Sequence, residues 1–164
     1  MTIERIRTFE DLAVWLDESK QRFRVDATTR TAEVTIQRPR PLSGTLQMRW
    51  DAGSPYVLLD FPFVLDVPES RIRAVETAIV RANNIIALPG LGFDYVRRNV
   101  HMHVAVPMHD DGMLATSFKA QVFGVLSVAN DFLGAFQAIV AGQPGEQVME
   151  LAVEAAKARG GAEA

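Results

Sequence analysis

The chain has 164 residues, 17 Lys and Arg against 20 Asp and Glu for a net charge of −3, and no cysteine. That length suits one domain that buries roughly 70% of its unfolded surface, so a core can form without disulfides. The missing thiols exclude cysteine nucleophiles, Cys-ligated zinc and iron–sulfur clusters, and the acidic balance argues against the broad basic surface behind non-specific nucleic-acid affinity.

The opening stretch, MTIERIRTFEDLAVWLDESK, interleaves charges with apolar residues and has no uninterrupted apolar run of the secretory kind, so a cytoplasmic protein is expected. Within it, TFEDLAVWLDESKQ predicts a first helix, with Thr8 as N-cap, Asp11 three residues on, and Leu12, Trp15 and Leu16 on one face. From Phe23 the period changes to alternation. AEVTIQ aligns Val34 and Ile36, TLQMRWD aligns Leu46, Met48 and Trp50, and YVLLDFPFVLDV aligns Leu59, Phe61, Phe63, Leu65 and Val67. These predict three successive strands joined by the turn-forming RPRPLSG and DAGSP, with a short extended piece at FRVD leading into them. The apolar run of the third is broken by Asp60, Pro62 and Asp66 and falls short of the roughly 20 residues of a membrane span, so no membrane partner is expected. Lys20, Arg22, Arg24, Arg30, Arg38, Arg40 and Arg49, against Asp26 and Glu33, form a basic stretch that reads as the solvated outer face of these strands.

Pro68 suits the first turn of a second helix, in which Ile72, Val75, Ile79, Ala82 and Ile86 make an apolar stripe with Arg71, Arg73, Glu76 and Arg81 largely off it. After LPGLG come FDYV and VHMHVAVPM, a hairpin turning near Arg97, Arg98 and Asn99, and HDDG ends it. The element from about 114 to 140 follows. Phe118, Val122, Val125, Ala129, Phe132, Phe136 and Ile139 alternate spacings of four and three, Leu126, Leu133 and Val140 form a second stripe beside them, and Asp131 is the sole charge between Lys119 and Glu146. A helix lying on one sheet needs only a narrow apolar stripe, so something more must cover this one. Either the tail EQVMELAVEAAKAR folds back as a lid, or a second copy packs there, and a homodimer is the favoured expectation. The residues expected at a dimer or partner interface are Phe118, Val122, Val125, Phe132 and Phe136. The domain is expected over 1–142, with a helical extension over 143–164 that ends in a disordered GGAEA.

Chemistry is sparse. All three histidines lie in RNVHMHVAVPMHDDG. Alternation puts Val100, Met102, Val104 and Val106 on one face of the strand and Asn99, His101, His103 and Ala105 on the other, where two imidazoles can share a metal ion. A protein zinc site needs three or four ligands, and His109, Asp110 and Asp111 follow Pro107, where the strand ends, so a metal site on His101 and His103 is the alternative to a solvated face, with a pH-sensitive contact as a third reading. Ser43, Ser54, Ser117 and Ser127 lie in no Gly-x-Ser-x-Gly turn, the carboxylate pairs Asp17–Glu18 and Asp110–Asp111 read as solvated, and the Gly-Leu-Gly at 90–92 leads into a strand rather than a helix. LGFDYV has the spacing of an RNA-binding strand in Phe93 and Tyr95, but lacks a preceding basic residue and a partner aromatic strand, so core packing is the favoured reading and no nucleic-acid partner is expected.

Three segments, FVLDVPESRIRAVETAIVRANN, LGFDYVRRNVHMHVAV and ANDFLGAFQAIVAG, resemble the YbjN family, and with the order of elements between them the likeness spans about residues 8–142. It departs from that pattern in lacking a proline between Phe132 and Phe136 and in carrying the tail beyond Gly142. The resemblance implies the α+β fold of type III secretion chaperones: helix, three antiparallel strands, helix, β-hairpin, long helix and, here, a short C-terminal helix. It also implies a non-catalytic, often homodimeric, protein-binding module of chaperone-like or regulatory kind, with no cofactor and with another protein or a peptide segment as partner.

Overall fold

A computed structural model describes residues 3–37, 43–86 and 88–160. Its centre is a six-stranded antiparallel sheet built from β2 (Arg22–Asp26), β3 (Thr31–Gln37), β4 (Ser43–Arg49), β5 (Tyr56–Pro62), β6 (Gly90–Asp94) and β7 (Asn99–Pro107), in the order β2-β3-β4-β5-β7-β6. A separate two-stranded ribbon joins β1 (Arg5–Ile6) to β8 (Met113–Leu114). The helices are α1 (Phe9–Glu18), α2 (Ile72–Asn83), α3 (Ala115–Val140) and α4 (Gly145–Gly160). The fold is α+β, in the element order expected. Residues 22–26 form a full edge strand rather than a lead-in, which makes the sheet one strand wider than the alternation at 34–67 alone indicates.

Strict period-two alternation decides which side of the sheet is covered. Val34 and Leu46, Met48 and Leu59, Leu59 and Val104, and Phe61, Met102 and Leu91 are cross-strand neighbours, and all are buried. On the opposite face the register lines up Arg24, Glu33, Gln47, Asp60, His103 and Gly90 as one polar row across all six strands. The chain leaves β5 still extended: Phe63 donates to Val100 O at 2.8 Å and Val67 to Arg98 O at 3.1 Å, so Phe63, Leu65 and Val67 stay in the core. Pro68 caps a single 3₁₀ turn over Glu69–Arg71, and α2 begins after it at Ile72, three residues beyond the first turn expected at the proline. The Thr8 capping box is complete, with Asp11 N donating to Thr8 Oγ1 at 3.1 Å and Thr8 N to Asp11 Oδ2 at 3.1 Å.

Helix α3 packs on β5 and β7, with Phe118, Val125, Leu126, Phe132, Leu133, Phe136 and Ile139 all buried. Phe136 meets Phe63 at 5.9 Å between ring centroids, and Trp15 of α1 sets its ring edge against Phe118 at 5.2 Å. By length and composition alone α3 would also cross a membrane, but its buried aromatic stripe is that of a helix bound to a sheet. After Gly142, whose φ of +105° suits glycine, α4 folds back on α2 and α3. Met149 is buried beneath it, and Arg81 Nη2 meets Glu146 Oε1 at 2.5 Å. The tail therefore lies over part of α3 as a lid within the same chain.

Val125 is 1% exposed, so a carboxylate there has no route to water. Val125→Glu is expected to destabilise the subunit by about 4 kcal/mol or more in urea denaturation, whereas Thr77→Glu on the exposed side of α2 should stay within about 0.5 kcal/mol of wild type.

Candidate functional site

The covering of the sheet is uneven. Over β3 and β4, between α1 and the first turns of α3, lies a groove of about 630 Å³. Its floor is Val34, Ile36 and Met48, one wall is Trp15 and Leu16, and the other is Val122, Phe123 and Leu126. Polar groups sit with Ser19, Gln21 and Thr116, and two charges line the groove: Glu18, whose Oε2 accepts from Ile3 N at 3.0 Å, and Lys119, whose Nζ lies 5.7 Å from the Phe123 ring centroid. Among the described residues no polar or charged side chain is buried. The groove therefore offers shape and apolar surface, in a volume of about three or four apolar side chains.

Of the five residues expected at an interface, Phe118, Val125, Phe132 and Phe136 are at most 1% exposed and pack inside this chain. Val122 is half-buried and lines the groove. Phe123, which lies off the heptad-like stripe, is 48% exposed and is the large apolar side chain that α3 presents to solvent. Behind it the outward side of α3 carries Ala120, Gly124, Ser127, Asp131, Gly134 and Ala138, and a Cβ added at Gly124 or Gly134 would meet nothing within 4 Å. Periodicity alone identifies the greasy stripe but cannot tell that the sheet uses it up.

His101 and His103 occupy the open face of the sheet. The rings of His101 and His103 stack at 5.0 Å with a 29° interplanar angle, and His101 Nδ1 lies 2.7 Å from Asp60 Oδ1 on β5. The bond to Asp60 raises the pKa of His101; partial burial, then the charge of His101, lowers that of His103. His109, Asp110 and Asp111 lie in the turn before β8, where Arg5 Nη1 holds Asp111 Oδ2 at 2.8 Å. Among the described residues no three His, Cys, Asp or Glu side chains are grouped to hold a metal ion.

Other sequence candidates disperse. Phe93 is half-buried on the helix side of β6, where it meets Tyr95 at 5.0 Å, and the Tyr95 hydroxyl donates to Glu76 of α2, so neither ring is offered on the open sheet face. Arg30 donates through Nε to Trp50 O at 2.8 Å and lies over Phe9, Arg49 pairs with Asp51 at 3.4 Å, and Arg22 and Arg24 stand exposed on β2; Arg38 and Arg40 lie outside the described residues. Ser54 Oγ donates to Tyr56 O, and among the described residues no hydrogen bond joins a serine to an imidazole.

No family model matches this chain, and no curated protein does. Solved structures similar in the course of the chain include the following two. One is a chain of the HopA1–SchA chaperone–effector complex, 18% identical, with a TM-score of 0.48 over 73% of this chain and 88% of that one. The other belongs to the ExsC–ExsE complex, 14% identical, with a TM-score of 0.45 over 66% of this chain and 77% of that one.

If the groove is open to apolar ligands, a hydrophobic fluorescent dye such as anilinonaphthalene sulfonate will take up excitation energy from Trp15 in a Trp50→Phe background. Val122→Glu, at the groove wall, should weaken that transfer at least about fivefold while the circular dichroism spectrum is unchanged. Equal transfer in both proteins would show that the dye binds elsewhere.

Proposed function

We propose that this chain is a cytoplasmic, non-catalytic protein-binding module of chaperone-like or regulatory kind, acting as a homodimer that holds a partner segment in the groove between α1 and α3. The observation that carries the reading is the groove itself: an apolar floor and two apolar walls, with polar groups too few and too scattered to activate a nucleophile or hold a small polar substrate. The occupant it suits is a peptide segment presenting about three apolar side chains, and the exposed edge strand β2 beside it, alternating Arg22 and Arg24 with half-buried Phe23 and Val25, offers backbone groups for an extended one. Membership of the YbjN family belongs to the same proposal and rests on the three segments quoted above.

The homodimer is supported by the outward side of α3. Two glycines inside a helix, Gly134 exposed and Gly124 partly so, each cost about 1 kcal/mol relative to alanine, a cost that close approach of a second backbone would offset. The metal alternative on His101 and His103 finds no third grouped ligand among the described residues in its support.

A photo-reactive amino acid at position 123 should crosslink a partner protein in the native cell, while the same group at Thr35 on the open sheet face should not. The crosslink should disappear in the Val122→Glu background; crosslinking that ignores that change would refute the groove as the binding site. For the dimer, Ser127→Trp should shift sedimentation from a two-chain to a one-chain mass. A wild-type protein sedimenting as one chain, or a variant sedimenting as two, would overturn that arrangement.

A further inference from the structure

Gly90 and Gly92 are the outward-facing partners of His103 and His101 in the β6–β7 register. A Cβ at Gly92 would stand 2.6 Å from His101 Nε2, and one at Gly90 would stand 3.9 Å from His103 Nε2. The rings thus lean from β7 across β6, and glycine is what lets them. On the other side His101 is tied to Asp60, which is the register partner of His103, so the bond runs diagonally and fixes the tilt of the pair. Three strands meet at one polar cluster. The outer edge of β6 is closed in another way: Leu91 N donates to Asn83 Oδ1 and Asn83 Nδ2 donates to Leu91 O, both at 2.9 Å, so the last residue of α2 stands in for a neighbouring strand.

We propose that the stacked imidazoles of His101 and His103 are a proton-operated clasp on edge strand β6, closed when the pair carries one positive charge beside Asp60 and opened when acid adds a second. The inference stands apart from the groove. With one proton, the His101 imidazolium is bound to Asp60 and stacks on a neutral ring. With two, like charges face each other at a ring separation of 5.0 Å, and Asp60 serves only one of them. His103, the more exposed ring, is the one free to swing out, which uncovers Gly90 and breaks the stack that holds His101 over Gly92, leaving β6 held by its backbone bonds and Asn83.

The charged groups facing the pair are few. Asp60 comes from β5 and Asp94 from β6; Asp94 is partnered by Arg97 at 3.9 Å and its carboxylate accepts from Val96 N and Arg97 N. Arg98, in the turn before β7, lies 3.4 Å from Asp66, and Glu33 and Arg24 lie further along the Asp60–His103 row, beyond Gln47. The helices pack on the opposite face of the sheet. The signs follow. His101, raised, adds stability that is complete below the ordinary imidazole value of about 6.5 and is lost as pH rises through its folded value. His103, lowered, adds stability that is present above about 6.5 and is lost as pH falls toward its folded value. The clasp is therefore tightest between the lowered folded value of His103 and the raised one of His101, and releases on the acid side through His103.

The test is an NMR titration of the full-length protein between pH 7.5 and 5.0, following both imidazoles and the amide exchange of Gly90 and Gly92, which pair with His103 and His101 across the β6–β7 ladder, after correction for intrinsic rates. Two separate titration steps are expected, His101 first, with β6 exchange rising at least about tenfold across the second. In His103→Gln the β6 exchange should lose its acid dependence, and in Asp60→Asn the two steps should draw together. Gly92→Ala should reproduce the open exchange rate at neutral pH by displacing His101. Imidazoles titrating together at the ordinary value in the wild type, or β6 exchange that is flat with pH or that rises equally in His103→Gln, would overturn the clasp.

Discussion

One constraint organises this molecule: a six-stranded sheet with a single apolar face has to hide that face, and one long helix is too narrow to do so. Face-to-face packing places elements about 10 Å apart and neighbouring strands about 4.8 Å apart, so a helix covers roughly two strands. Helix α3 sits on β5 and β7, and α1 lies toward β2 at the other end. What lies between them, over β3 and β4, is the groove. The candidate binding site is thus the part of the core that the chain's own helices leave incompletely roofed.

The same constraint gives the two faces of the sheet different chemistry. On the covered side, alternation delivers Val34, Leu46, Met48, Leu59 and Val104 to a core without buried polar side chains among the described residues. On the open side every residue keeps access to water, and charges can stand in rows. There Asp60, His101 and His103 assemble around two glycines, a polar cluster whose neighbours are strands rather than helices. An apolar groove and a cluster of titratable side chains are thus separated by the thickness of one sheet.

Much of the fold was legible in the residues. Thr8 and Asp11 announce the start of α1, alternation at Val34–Ile36 and at Leu59–Val67 announces strands, and the three-and-four spacing of Phe118, Val125, Phe132 and Phe136 announces α3. Two features were less visible for a shared reason. The strand Arg22–Asp26 alternates over only two apolar residues, too short a run to set apart from a lead-in, and the ribbon Arg5–Ile6 with Met113–Leu114, two residues long on each side, gives no period to read. Pairing across the chain makes them strands.

The sequence by itself determined which residues are greasy and with what period, because side-chain hydrophobicity and the 2.0 and 3.6 repeats are local properties. It also determined that His101 and His103 share a polar strand face. Only the tertiary structure decided what each apolar surface touches: Phe118, Val125, Phe132 and Phe136 meet this chain's own core, and Val122 and Phe123 are left at the groove. It alone brought Asp60 to His101 and set Gly90 and Gly92 beneath the rings, since those contacts depend on strand order and register, which join residues far apart in the chain.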